Sequence, residues 1–261
     1  MNYMTKEQIN KRLKEHYDTL KGKEVFAIFL QGSQNYIDDK FLPESDLDSK
    51  AVVFPAKKDL YLGNIDQSKE RVLENDEHLN ELDVRNFLKT LKKPGVNNYE
   101  SLFTEYVIVN PKYEKFYKDL VSIRENIVRM DEKKFLLSLM GMSFGELKLL
   151  EKSNGSQSHD VDKYGYSRKR LVNVLRYNAL AKAYLENKDF SSCLKALNQN
   201  DVYNIRTKQV YTLDEARKLA HSADKETTEL AKNFKGVTNN AKETNEKLEK
   251  VFVDMIEESL R

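Results

Sequence analysis

The segment EVFAIFLQ, residues 24–31, constrains this chain more than any other stretch. It is too short and too continuously apolar for a surface helix, and it stops at Gly32-Ser33, so it reads as a central strand covered on both faces. A loop rich in Asn, Asp and Pro follows, including Asn35, Tyr36 and Pro43, and then comes SDLDSKAVVF. In that segment Leu47, Ser49, Ala51 and Val53 alternate with Asp46, Asp48, Lys50 and Val52, the period of two expected of a strand. Asp46 and Asp48 therefore leave one face, and the front of the chain is committed to a sheet.

Helical signals surround this unit. Thr5 and Gln8 read as a capping box, after which Ile9, Leu13, Tyr17 and Leu20 recur on one face until Gly22. Residues 71–82 read as a further strand, and Asp83 as the N-cap of a helix through Phe87, Leu88 and Leu91 to a stop at Pro94-Gly95. Beyond Pro111 strand signals nearly vanish. Helical periodicity covers 113–129, 133–151, 167–187, 212–233 and 241–260, with breaks at 152–165, 197–204 and 235–240. The expected class is α+β, a mixed sheet with helices over 1–112 followed by an all-α domain over 113–261.

A chain of 261 residues is long enough for two modest cores. The 44 basic and 42 acidic side chains nearly cancel, so no global field draws it to a polyanion and any such site must be local. The longest mostly apolar run, FLLSLMGMSF, is too short to span a bilayer, and the first residues lack the apolar core of a secretory signal. With Cys193 as the only cysteine, a soluble protein of the reducing cytoplasm is expected. Cys193 itself reads as a small buried residue. The four histidines lack metal-ligand spacing, which argues against zinc.

The chemistry lies in Gly32-Ser33 together with Ser45-Asp46-Leu47-Asp48. A strand ending in Gly-Ser lets backbone N–H groups approach a phosphate while the hydroxyl donates to an oxygen. Two carboxylates at i and i+2 point the same way and suit Mg²⁺, a hard ion that prefers oxygen. Phosphoryl and nucleotidyl transfer require mainly positioning and charge neutralisation, which such a pair beside a phosphate turn supplies.

These residues resemble the hallmark of the polymerase-beta superfamily of nucleotidyltransferases, a Gly-Ser followed about a dozen residues later by Asp-x-Asp. FLQGSQNY, ESDLDSK, NDEHLNELDVRNF, NNYESLFTEYVIVNPKY and YGYSRKRLVNVLR are further similar to segments of a bacterial and phage group that includes RNA-repair-associated polymerase-beta-like proteins. The resemblance implies a polymerase-beta-type domain, a helical domain closing the nucleotide cleft, and two Mg²⁺ ions, replaceable by Mn²⁺, held by Asp46 and Asp48. It implies transfer of a nucleoside monophosphate, with ATP the favoured donor and an RNA 3′ end the favoured acceptor, and no membrane partner. A protein or small-molecule acceptor would use the same site, and a degenerate nucleotide-binding regulatory module is the non-enzymatic alternative.

The superfamily usually carries a third acid on a later strand. In residues 71–82 Leu73 and Leu79 share a parity with Glu77 and Glu81, leaving Asp76, His78 and Asn80 opposite. The resemblance places the acid near Asn80, where an amide can orient a nucleophile but cannot take its proton. Asp76 and Glu81 remain the candidates for the third member. In the helical half, Lys169, Asn173 and Arg176 fall within about 60° of one another on one helix, opposite Leu171, Val174 and Leu175. The resemblance turns this stripe toward the cleft. Lys169 and Arg176 are then expected on phosphates, with Tyr166 and Asn173 positioning base or sugar, Asn35 as a further nucleotide-binding residue beside Gly32 and Ser33, and Lys169, Arg170 and Arg176 as a polyanion footprint. Gly141 and Gly145, spaced i and i+4, are expected to allow close helix packing.

Overall fold

The computed structural model describes residues 5–36, 46–65, 68–73, 76–153, 158–236 and 240–261. The chain divides into two compact units, residues 1–130 with 238–261, and residues 131–237. The 112/113 boundary expected from periodicity therefore falls inside the first unit. Loss of strand signal marks where the sheet ends, but the helix over 114–129 still meets it through Tyr117 on Phe29, and the last helix packs on helices of the same unit.

The first unit opens with α1, Lys6–Asp18, whose capping box between Thr5 and Gln8 forms as expected and whose Ile9 and Leu13 are buried. Strands β1 (Val25–Gln31) and β2 (Asp48–Val53) pair antiparallel. After the short α2 (Lys57–Tyr61), the expected strand at 71–82 is instead a hairpin of β3 (Lys69–Val72) and β4 (His78–Asp83). The chain turns at Asp76, whose φ of 61° lies in the left-handed region that Asp tolerates better than most residues. Asp83 caps α3 (Val84–Leu91) as expected, accepting the Arg85 N–H at 2.8 Å. Then come α4 (Val96–Tyr99), β5 (Val107–Val109) and α5 (Glu114–Arg129).

The sheet runs β3-β4-β2-β1-β5, with β2 and β4 parallel and the other pairs antiparallel. Its mixed character with helices beside it bears out the α+β expectation. β1 lies inside the sheet, and all but its last residue are buried, as its unbroken apolar sequence requires.

The second unit comprises α6 (Glu132–Leu149), α7 (Ser158–Tyr164), α8 (Arg168–Asn187), α9 (Phe190–Cys193), α10 (Gln199–Thr207) and α11 (Leu213–Asn233). Phe135 meets the edges of Tyr184 and Phe190 at 5.0 and 5.6 Å, a geometry that favours aromatic contact. Buried Asn178 donates to the Ala223 carbonyl and to Thr227 Oγ1, tying α8 to α11. Helices α7 and α10 occupy stretches expected as breaks: α7 buries no residue and α10 only Val202 and Ile205, so neither leaves a long apolar stripe to read. The last helix, α12 (Ala241–Leu260), returns to the first unit, where Phe252 packs on Phe87 of α3 with ring centroids 6.0 Å apart.

Gly141 and Gly145 do not serve close packing: a Cβ built at either meets nothing within 4 Å among the described residues. Both lie inside α6, where glycine is disfavoured relative to alanine by about 0.8–1 kcal/mol. Gly141→Ala and Gly145→Ala are each expected to raise stability by about that amount, read as a higher urea midpoint at unchanged slope. A lower midpoint would show that the glycines accommodate a neighbour after all.

Candidate functional site

The register of β1 against β2 assembles the site. Gln31 pairs with Asp48, so the turn that leaves β1 at Gly32 stands beside the start of β2. Directly paired residues of an antiparallel ladder lie roughly 5 Å apart at their Cα atoms. Gly32 has φ 93°, a conformation that L side chains rarely adopt, and Ser33 opens a single helical turn through Asn35. Asp46 and Asp48 are exposed, whereas Leu47 and Ser49 between and after them are buried, so both carboxylates leave the same face as expected. Pro43 and Ser45 lie outside the described residues.

A polar shell stands behind this edge. Lys50, two residues beyond Asp48 on the same face of β2, is 7 % exposed, and its ammonium donates to Ser101 Oγ at 3.3 Å and to the Asn97 carbonyl at 3.5 Å. Burial lowers the pKa of this ammonium, and the nearby Glu100 carboxylate opposes that shift. Ser101 Oγ also accepts from Gln31 Nε2 at 3.3 Å, so one hydroxyl joins the strand carrying Asp48 to the residue preceding Gly32. Asn35 donates to the Leu30 carbonyl at 3.0 Å and accepts from Thr104 Oγ1 at 2.6 Å. Through these two bonds Asn35 fastens the turn to β1 and to Thr104.

The opposite face of the sheet holds residues that sequence reasoning passed over. Glu77 is fully buried, pairs with Arg12 and His16, and accepts the Leu47 N–H at 3.2 Å. His16 Nε2 lies 2.7 Å from Glu77 Oε2, and its Nδ1 lies 2.7 Å from Ser49 Oγ. A carboxylate only accepts, so Nε2 carries the proton and the serine hydroxyl donates to Nδ1. Leu47 and Ser49, the residues interleaved with the two aspartates, are thus pinned from behind by one ionic cluster. The available signal was Glu77 sharing a parity with Leu79, since a carboxylate on a buried face demands a partner.

Burial, reinforced by the Arg12 guanidinium, pushes the His16 imidazole down to about 4. Arg12 also pairs with Glu77, so the carboxylate's charge is already met and does not hold a proton on the ring. Above the ordinary histidine value, near 6.5, His16 is neutral in the folded and unfolded chains alike and its contribution to stability is complete. Below that value the unfolded chain takes up a proton that the folded protein refuses, and stability drains away until about 4. The melting temperature is therefore expected to fall steadily from pH 6.5 toward 4, with a shallower fall in His16→Gln. Identical slopes in the two proteins would show that His16 does not carry the effect.

Of the two candidates for a third acid, Glu81 does not join the pair. Glu81 is in register with Ala51, which puts it on the face opposite Asp48, and there it pairs with Lys23 and Arg71. Asp76 sits in the β3–β4 turn, ahead of β4. Asn80 is the residue whose register, opposite Lys50, gives it the face of Asp48. Its Oδ1 is buried and accepts no hydrogen bond among the described residues. Nor do three or more His, Cys, Asp or Glu side chains gather as a metal site among those residues. The oxygen donors of this edge are thus the two carboxylates, which suit Mg²⁺ held by one or two carboxylates plus a substrate's phosphates.

The remaining expected residues belong to the second unit. Tyr166 is buried, with its hydroxyl donating to the Tyr211 carbonyl at 3.2 Å, so it is a core residue and not a base contact. Along the stripe on α8, Lys169 is exposed and Asn173 half-buried, but Arg176 is buried against the ring of Tyr177. The stripe therefore runs into the unit instead of presenting two cations outward. Arg170 pairs with Glu146 at 2.7 Å, which removes a third cation from the expected footprint.

A cavity of about 380 Å³ lined by Lys23, Phe54, Asp59, Lys69, Glu81 and Asp83 opens at the other end of the sheet, where β1 begins and β2 ends, and contains neither aspartate of the pair. No described helix is long and apolar enough to cross a membrane. Comparison with protein-family models, curated proteins and solved structures returns no match to this chain.

Proposed function

We propose that the Gly32-Ser33 turn and the Asp46/Asp48 pair form the donor site of a Mg²⁺-dependent nucleotidyltransferase of the polymerase-beta type, which moves AMP from ATP to an acceptor hydroxyl. The observation that carries this reading is the pairing of Gln31 with Asp48, which seats the Gly32-Ser33 turn next to two carboxylates on one sheet face. In this reading Asp46 and Asp48 hold divalent cation, and Gly32 and Ser33 receive the triphosphate through backbone N–H and hydroxyl. When bound, the cation neutralises charge developing on the phosphoryl oxygens. The acceptor oxygen bonds to the α-phosphorus, the bond from that phosphorus to the α–β bridging oxygen breaks, pyrophosphate leaves, and the hydroxyl proton passes to water. Lys50, Ser101 and Asn35 keep the turn and the carboxylates in one geometry, so little is reorganised during reaction.

A second reading, a nucleotide-binding module without catalysis, draws on Asn80, because an amide stands where a carboxylate could have taken that proton. Incubation with Mg²⁺, each α-labelled NTP and a pool of tRNA, short RNA and lysate protein separates the readings. Label from ATP in RNA is the expected result. Label in protein or a small molecule keeps the enzyme and changes the acceptor, whereas bound ATP with no transfer favours the module.

A further inference from the structure

The carboxylates in the wall of the cavity at the far end of the sheet are matched unevenly by cations. Asp83 is met by the Arg85 guanidinium, 3.0 Å from Nε and 2.7 Å from Nη2, and Glu24 by Lys112 at 3.3 Å and the Tyr113 hydroxyl at 2.5 Å. Glu81 is buried, and both Lys23 and Arg71 close on it, two cations on one carboxylate. Lys69, also in the wall, stands directly across the ladder from Glu81. This group therefore keeps a positive charge in excess. Asp59 is the reverse case. Half-buried in the same wall, its carboxylate accepts from the neutral Asn64 amide at 3.2 Å and meets no cation among the described residues. The excess cation and the excess anion thus line one cavity without closing on each other. Val53, Phe54, Pro55 and Ala56 add an apolar surface, with the Phe54 ring backed by Tyr113 at 4.6 Å.

We propose that this cavity binds a free α-amino acid as its zwitterion, with the carboxylate toward Lys23 and Lys69, the ammonium toward Asp59 and an apolar side chain against Phe54 and Pro55. A simple anion is drawn by the basic wall and repelled by Asp59, and a simple amine meets the converse. A zwitterion answers both and brings no net charge of its own into the cavity. The volume, about 380 Å³, lies at the small end of the roughly 300–1,000 Å³ typical of small-molecule sites, which suits one amino acid better than a longer chain. Strand β2 begins at Asp48 and ends at Val53 in the cavity wall, so occupancy here needs neither Mg²⁺ nor nucleotide at the other end.

The test is isothermal titration calorimetry of the full chain with L-leucine, L-methionine and L-phenylalanine, and with the N-acetyl and amide derivatives of whichever binds most tightly. One of the free amino acids is expected to bind, and blocking either its ammonium or its carboxylate should weaken binding by about tenfold or more, the worth of a hydrogen bond to a charged group. Asp59→Asn keeps an oxygen for Asn64 and removes the charge, so it should weaken the free amino acid by about tenfold and leave the N-acetyl derivative unchanged. Lys23→Gln should weaken the free amino acid and spare the amide, while Arg71 still answers Glu81 and keeps the fold intact. No binding by any of the three amino acids would overturn the proposal. Equal binding by either blocked derivative would make this a plain anion or amine site and overturn it as well. So would an Asp59→Asn or Lys23→Gln protein that binds the free amino acid as the wild type does.

Discussion

Asp48→Ala is expected to lower AMP transfer by more than about a hundredfold, because even the outer partners of metal ligands cost ten- to hundredfold when removed. Asp46→Ala should do the same. Both side chains are exposed at the edge of the sheet, so stability should change by no more than about 0.5 kcal/mol and the melting curves should overlay that of the wild type. This separation of activity from stability is the signature to look for. Transfer within a few-fold of wild type in either variant would remove the carboxylates from the chemistry, and a collapsed melting curve would make them structural residues.

Glu77→Ala is expected to be the most damaging single change to stability in the first unit. It removes the carboxylate that pairs with the Arg12 guanidinium and accepts from the His16 imidazole and the Leu47 N–H. Breaking a buried ion pair from one side costs about 3–5 kcal/mol. Against a total stability of roughly 5–15 kcal/mol, that removes between about a fifth and nearly all of the margin. Glu77→Gln keeps an acceptor for Leu47 and His16 but forfeits the charge that answers Arg12, so its urea midpoint should fall between those of the wild type and Glu77→Ala. Because Leu47 separates Asp46 from Asp48, the glutamine variant should also lose transfer activity beyond its loss of folded protein. A midpoint unmoved by Glu77→Ala would mean that the cluster contributes nothing to folding.

The β1 strand, the Asp46/Asp48 alternation, the Thr5 and Asp83 caps and the long helices were legible because each writes a periodic or capping pattern into neighbouring residues. The β3–β4 hairpin was not, since the residues of 71–82 keep one parity through the turn and only the backbone at Asp76 reveals the reversal. The buried cluster was hidden for another reason. Arg12, His16, Ser49 and Glu77 are far apart along the chain, and no local period couples a helix to two strands. Arg176 misled because a guanidinium on a helix that is buried nearly all round was read as facing solvent.

The return of α12 to the first unit bears on synthesis. Residues 131–237 must be made before the helix that carries Phe252 to Phe87 exists, so translation finishes the second unit while the first still lacks one of its covering helices. A nascent chain arrested near residue 237 would carry both aspartates while the side of α3 that Phe252 covers stands open to whatever holds it on the ribosome.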